Sequence, residues 1–210
     1  MKNILLVDDH AVMREGIKQI LEDELLKVTF GEAGTAAEAL DLFSQKNWDA
    51  VILDIVLPGR SGLDILKEMR QQKPELPILV YSMHAEEQFA VRALRSGASG
   101  YLSKADVPGQ LVKAIHQLLA GRKYISETVV ERIASELDVQ TDKPRHEKLS
   151  NREYQTMLMI ASGKTTTQIA NALSLGISTI STYRARILEK LGMKSNADII
   201  HYVIEYNLVP

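Results

Sequence analysis

Residues 3–10 read NILLVDDH, a short apolar run that stops on two adjacent carboxylates and a histidine. The run is too short for a helix and is bounded by polar groups, which suits a strand buried on both faces. Two further runs match it, AVILD (50–54) and PILVYS (77–82), and they too are β-branched and short. KVTFGEAG (27–34) and GYLSK (100–104) read as two more strands. Between them lie stretches of helical spacing. AVMREGIKQILEDEL carries Val12, Gly16, Ile17, Ile20 and Leu21 on one expected face. TAAEALDLFSQ carries Ala36, Ala39, Leu40 and Phe43, and SGLDILKEMRQQ carries Leu63, Leu66 and Met69. Strand alternating with helix five times predicts a doubly wound, five-stranded parallel sheet covered on both faces, an α/β unit closed by a last helix up to Leu119.

In such a sheet, ligands bind beyond the carboxyl ends of the strands. Asp8 and Asp9 lie just past the first strand and Asp54 ends AVILD. Neighbouring carboxylates raise the energy of each other's charge, so a divalent cation is expected over them. A hard oxygen site of this kind suits Mg²⁺, which accepts one or two carboxylates and keeps waters. Ser82 and Lys104 end two further strands. A hydroxyl and an ammonium beside a metal are what the oxygens of a phosphoryl group require. Asp54 stands alone at its strand end, followed by the turn residues Pro58 and Gly59, and is the expected nucleophile for an acyl phosphate.

Composition agrees with a globular chain of one large or two small domains: 210 residues, 45% hydrophobic and 25% charged. There is no cysteine, which excludes disulfides and thiolate metal sites and is compatible with a reducing cytoplasm. No apolar run approaches the roughly 18 residues of a membrane span, and the N-terminal stretch turns acidic too soon to be a signal peptide. The net charge of -2 is uneven: residues 1–119 carry net -4 and residues 146–210 net +2. The two halves are therefore expected to meet different partners.

Taken together, MKNILLVDDH, LDIVLPGRSG, the Ser82 strand end and GASGYLSK resemble the receiver domain of two-component response regulators, over residues 1 to about 119. The resemblance implies a flavodoxin-like fold and a phosphoryl group taken by Asp54 from the phosphohistidine of a sensor histidine kinase. It implies Mg²⁺ held by Asp9, Asp54 and the backbone carbonyl of Val56, with Asp8 acting through bound water. Ser82 and Lys104 would contact the phosphoryl group, and Tyr101 would be the aromatic whose rotamer follows phosphorylation. Two positions depart from the common pattern: Ser82 stands where threonine is frequent, and Ala105 where proline often follows the lysine.

The remaining sequence changes character. YISETVVERIASELD reads as a helix with Val130, Ile133 and Leu137 in one stripe, and QTDKPRHEK (140–148) is polar and without an apolar period. Residues 120–145 are thus expected to form a helical linker. Residues 146–210 show four short helices marked by caps, among them the boxes Ser150-x-x-Glu153 and Thr165-x-x-Gln168. The third, ISTISTYRARILEKLG, has Ser178 as its cap candidate and bears Arg184, Arg186, Lys190 and Lys194 against Glu189. With Ile177, Ile180, Ile187, Leu188 and Leu191 facing inward, its outer face presents Ser181, Thr182, Ala185 and Arg186, flanked by Arg184. Such a face suits base edges in a major groove, with Lys190 also expected at the DNA, while Ser178 and Thr179 suit a phosphate at the helix start. In the fourth helix Ile199, Val203 and Ile204 are expected inside. The stretch from Leu149 through Ser195 resembles the LuxR-type helix-turn-helix domain, with Tyr183 where histidine is common.

A receiver followed by this domain is similar to the NarL/FixJ class of response regulators. That class implies a phosphorylation-controlled transcription factor that is not a turnover enzyme. Its partners would be a sensor kinase, double-stranded DNA, a second copy of the chain once phosphorylated and, at the promoter, RNA polymerase, with no membrane. Two rivals come from other classes. A phosphatase using Asp54 as nucleophile would need a carboxylate two residues on, where Val56 stands. A ligand-sensing regulator would need an aromatic-lined pocket, and aromatic residues make up 5% of the chain. ASGKTT (161–166) lacks the earlier glycine of a phosphate-binding loop, having Leu158 in its place. The five histidines, His10 among them, are scattered and read as structural or solvated.

Overall fold

The computed structural model describes residues 1–83, 86–127, 129–131, 144–206 and 208, and of residues 86–88 the backbone alone. The chain divides into two compact units, Met1–Asp138 and Val139–Pro210. The first holds β1 (Lys2–Val7), α1 (Ala11–Glu24), β2 (Val28–Ala33), α2 (Ala36–Gln45), β3 (Ala50–Leu53), α3 (Gly62–Gln72), β4 (Ile78–Ser82), α4 (Glu86–Arg95), β5 (Gly100–Ser103) and α5 (Pro108–Leu119). The strands form one parallel sheet in the order β2-β1-β3-β4-β5. The order reverses at β1, which places a switch point between β1 and β3.

The three central strands are apolar because both of their faces are covered. Ile4, Leu5, Leu6, Ala50, Val51, Leu53, Ile78, Leu79 and Val80 are all fully buried. The β1–β3 ladder ends at Val7–Leu53, one residue short of Asp8 and Asp54, and the β4–β5 ladder ends at Ser82–Ser103, one residue short of Lys104. Asp54 N still donates to Val7 O (2.8 Å) and Lys104 N to Ser82 O (2.8 Å). Register therefore fixes the backbone of these polar residues level with one another at one rim.

Helix faces match the apolar pattern near helix centres and depart from it near the ends. Ile17 and Leu21 are buried in α1, but Val12 is 88% exposed. Val12 lies five residues before Ile17, about 140° round the helix, and so points away from the sheet. Tyr124 carries the sheet contact past residue 119, bridging Gly100 in parallel and donating through its hydroxyl to Gln110 Oε1 (2.5 Å). Beyond it Val129 is buried and Val130 is half exposed, the reverse of the expected stripe; Ile133 and Leu137 lie outside the described residues, as does half of the expected linker.

One glycine is dictated by close approach. A Cβ on Gly62 would lie 2.0 Å from Asp54 O and 2.8 Å from Ile55 Cα. Gly62 N also donates to Ile55 O (2.8 Å), which pins the start of α3 against the segment that carries Asp54. Gly62→Ala is expected to lower unfolding stability by about 2–3 kcal/mol, because backbone and not a flexible side chain must yield. Gly16→Ala in α1 is the control. A Cβ there meets nothing within 4 Å, and removing a helical glycine should raise stability by about 0.5–1 kcal/mol. Urea unfolding of the two variants checks the opposite signs.

The second unit contains a 3-10 turn (Arg145–Lys148) and α6 (Asn151–Ala161), α7 (Thr166–Leu173), α8 (Ile177–Leu191) and α9 (Asn196–Glu205). Capping boxes start α6, α7 and α9, the last through Ser195 and Asp198. Helix α8 instead starts at Gly176 with no side-chain cap, so Ser178 lies inside its first turn and is not the cap. The core is built from Met157, Leu173, Ile180, Ile187, Leu191, Ile199 and Val203. Two expected inward residues are exposed, Ile177 (53%) and Ile204 (65%). Ile177 sits about 60° off the Ile180–Ile187–Leu191 stripe, and Ile204 about 100° off Val203. Arg145, the last residue of the expected linker, and His146 are held to the helices: Arg145 Nη1 donates to Leu191 O (3.0 Å) and His146 N to Tyr202 Oη (3.2 Å).

Candidate functional sites: an acidic pocket and a basic helix face

At the carboxyl rim of the sheet, Asp8, Asp9, His10 and Asp54 each place a ligand atom within 4.8 Å of all the others. Asp8 and Asp54 are buried, while Asp9 and His10 are open to solvent. Lys104, from the far side of the rim, bridges the buried pair: its Nζ lies 2.5 Å from Asp8 Oδ2 and 2.6 Å from Asp54 Oδ2. The ammonium is only 1% exposed. Asp54 Oδ1 accepts from Val56 N (3.1 Å), which turns the chain just past the carboxylate.

Burial pushes the Asp54 carboxyl above its ordinary range, and the charge of Asp8 pushes in the same direction, although Lys104 opposes both. Burial alone would lower the Lys104 ammonium, but Asp54 and Asp8 hold it above its ordinary value. Two carboxylates thus share one cation, and the pocket carries surplus negative charge. The donor set is rich in carboxylate oxygen and partly open to water, which is the chemistry that holds one hard divalent ion.

Ser82 and Tyr101 are fully buried, at the end of β4 and within β5. Lys104 continues into a trans peptide with Ala105, and the following turn is closed by Ala105 N to Ser103 Oγ (3.2 Å) and Ser103 N to Asp106 Oδ2 (3.0 Å). The structure therefore brings Asp8, Asp9, Asp54, Ser82 and Lys104 to one rim, as the strand ends implied, with Val56 two residues past Asp54.

Two participants were not legible beforehand. His10 is exposed, in keeping with a solvated histidine, and its Nδ1 also lies 2.8 Å from Asp9 Oδ1 and 3.2 Å from Asp8 Oδ1. Arg14 Nη1 donates to Asp8 O (2.6 Å) while its Nε donates to Glu32 Oε2 (3.0 Å). Hydrogen bonds from Lys18 and then from Arg14 hold the Glu32 carboxyl below its ordinary range. This tether fixes the loop that carries the aspartates. No motif links residues 14 and 32; the signal would have been a basic residue one turn into α1 facing an acid at the end of β2.

In the helical unit, Ser178, Ser181, Thr182, Ala185 and Arg186 form one exposed face of α8, with Thr179 half-buried. Ser181 Oγ and Thr182 Oγ1 donate back to Ile177 O and Ser178 O (3.0 Å each), which leaves their oxygens outward as acceptors. Arg184 donates to Asn196 Oδ1 (2.6 Å) at the start of α9. Lys190, expected at DNA, lies instead 2.6 Å from Glu153 Oε2, on a carboxylate that is itself buried. Its ammonium joins α8 to the capping box of α6.

That pair has a pH signature. Burial pushes Glu153 up, but the bonds from Lys190 and from Ser150 outweigh it and hold the carboxyl below its ordinary value of 4.5. A depressed carboxyl adds stability above its unfolded pKa and loses it as pH falls through its folded pKa. Glu153→Gln is expected to lose about 1–2 kcal/mol at neutral pH, with wild type and variant converging as the pH drops below that range. Thermal melts across pH check it.

Two family matches divide the chain along these sites. Residues 4–116 match the response regulator receiver domain, and residues 147–203 match the luxR family of bacterial regulatory proteins. The response regulator UvrY of Escherichia coli K12 is 32% identical over 209 residues, covering 99% of this chain and 96% of its own. The chain belongs to the NarL/FixJ class of response regulators. GacA of Pseudomonas aeruginosa, another response regulator of this kind, is 34% identical over 212 residues, covering 100% of this chain and 98% of its own. Among solved structures, the RcsB–DNA complex is 26% identical with a TM-score of 0.58, covering 97% of this chain and 98% of that one.

A response regulator of this class is a receiver joined to a transcription-regulating DNA-binding domain, and the acidic pocket and the α8 face fall one in each. Among the described residues, no helix is long and apolar enough to cross a membrane.

Proposed function

We propose that Asp54 is the phosphoacceptor of this response regulator and that a sensor histidine kinase supplies the phosphoryl group. The observation that carries the reading is the single rim where Asp8, Asp9 and Asp54 meet Lys104. An Asp54 carboxylate oxygen attacks phosphorus, the O–P bond forms, the N–P bond to the kinase histidine breaks, and the imidazole leaves with the bonding pair. The buried Lys104 ammonium stands beside the carboxylate to take charge from the incoming phosphoryl oxygens, and the Ser82 hydroxyl ends the adjacent strand. Asp9, Asp54 and the carbonyl of Val56 would hold Mg²⁺, with Asp8 one water further out. When bound, the ion supplies charge neutralisation at the phosphoryl oxygens.

The group then leaves by hydrolysis of the acyl phosphate, so the chain is a switch and not a turnover enzyme. Phosphorylation draws Ser82 and Tyr101 toward the new oxygens and shifts a pre-existing equilibrium toward a dimeric, DNA-binding form. The α8 face would read the major groove with Ser181, Thr182, Ala185 and Arg186, while Ser178, Thr179 and Arg184 meet phosphates. That the related RcsB has been solved with DNA supports this half of the reading. RNA polymerase is the further partner at the promoter, in the cytoplasm.

The test is acetyl phosphate with Mg²⁺, followed by borohydride reduction of the acyl phosphate and peptide mapping. Reduction expels phosphate and is expected to leave homoserine at residue 54, and phosphorylated protein is expected to bind selected DNA more tightly at fixed salt. Homoserine formed at another position, or identical DNA binding by both forms, overturns the proposal.

A further inference from the structure

We infer that His10 is a nitrogen ligand of the receiver's metal, which tunes this pocket toward first-row divalent ions such as Mn²⁺ and Zn²⁺ relative to Mg²⁺. The inference rests on the metal reading above and adds to it a residue that the reading does not use. His10 is the residue that enters α1: its φ of -92° and ψ of 101° are extended, and its side chain makes no cap hydrogen bond to the helix. Its backbone N–H is held instead by Asp8 Oδ1 (2.8 Å), which turns the residue toward the acidic rim. The ring nitrogen Nδ1 then lies 2.8 Å from Asp9 Oδ1 and 3.2 Å from Asp8 Oδ1.

Both are hydrogen-bond separations, and the shorter one, to Asp9, also suits two ligands of one ion. An octahedral ion with bonds of about 2.1 Å has neighbouring donor atoms roughly 3.0 Å apart. The 2.8 Å from Nδ1 to Asp9 Oδ1 is close to that edge, and the donor atoms of all four residues lie within 4.8 Å of one another. Carboxylate oxygen favours Mg²⁺ and Mn²⁺ about alike, whereas imidazole nitrogen favours ions later in the first row. One added nitrogen therefore changes selectivity more than it changes overall charge. The ring is 69% exposed, so it has room to turn onto an ion without repacking any core residue.

The whole chain loaded with Mn²⁺ is examined by pulsed EPR, in which a directly bound imidazole modulates the echo at nitrogen frequencies. Nitrogen coupling is expected in the wild type and is expected to vanish in His10→Ala. Calorimetry with Zn²⁺ and with Mg²⁺ should show the Zn²⁺-to-Mg²⁺ affinity ratio falling at least tenfold in His10→Ala, and less in His10→Asn. Bound Mn²⁺ without nitrogen coupling, or an unchanged ratio, overturns the inference and leaves the phosphoacceptor reading standing. Failure of the wild type to bind Mn²⁺ or Mg²⁺ at all overturns both. Should His10→Ala fold poorly, the wild-type EPR signal decides by itself.

Discussion

Asp54→Asn is expected to lose labelling by acetyl phosphate by at least about 10³-fold, because an amide oxygen is a far weaker nucleophile than a carboxylate. The same variant is expected to be more stable than the wild type. Asp8 and Asp54 are both buried and both lean on one ammonium, Lys104 Nζ. Removing one carboxylate leaves a one-to-one pair between Lys104 and Asp8, and the like-charge repulsion disappears. A gain of about 1 kcal/mol is reasonable for relieving one buried, imperfectly compensated charge. A dead but stabilised variant is the signature of a group retained for chemistry at a cost in stability. Intact mass after labelling reads the first effect and urea unfolding without metal reads the second. A variant that still gains the phosphoryl group removes Asp54 from the role given to it, and a destabilised one means the pocket is better compensated than its geometry indicates.

How much of this pocket could be read from the chain follows from how its parts are encoded. Asp8, Asp54, Ser82 and Lys104 were legible because each directly follows, or ends, an apolar run, and a parallel sheet aligns such ends at one rim. Backbone periodicity carries that information. Arg14 and Glu32 were not legible, since their meeting depends on the angle of α1 across β2 and on long, flexible side chains. The contacts of His10 with the aspartates have no signal in the sequence, because a single exposed histidine has no pattern around it and its position follows from a backbone bond to Asp8 Oδ1.

Helix centres were legible and helix ends were not. Ile17, Leu21, Ile180, Ile187 and Leu191 are buried as their spacing implied, while Val12, Ile177 and Ile204 are exposed. An apolar residue near an end costs little when left in water, so its presence says less about which way it faces. The basic residues of α8 make the same point for charge. Arg186 is exposed on the outer face, but Lys190 serves Glu153, and composition alone cannot divide cations between DNA and the domain's own cohesion.

Lys104→Met should be the most destabilising single change in the pocket. Methionine fills roughly the space of the lysine stem, so packing is largely kept and the charge alone is lost. Asp8 and Asp54 then face each other in a buried site without a counter-ion, and breaking such a pair from one side costs about 3–5 kcal/mol. The loss should depend on metal. A divalent ion binds the folded pocket and not the unfolded chain, so at a hundred times its dissociation constant it returns about 2.7 kcal/mol. Without Lys104 the ion is the only cation available to the two carboxylates, so its affinity should rise and its stabilising effect should exceed that in the wild type. Phosphoryl transfer should nevertheless stay slow even at saturating Mg²⁺, by about 10²-fold or more, because the ammonium beside Asp54 Oδ2 is missing where charge develops. Melting curves with and without Mg²⁺, set beside labelling rates, separate these two jobs of one side chain. If Mg²⁺ restored both stability and rate, Lys104 would be a counter-ion and nothing more. If stability without Mg²⁺ were unchanged, the carboxylates would have to shed their charge by taking up a proton, which the upward push on Asp54 from burial makes the natural route.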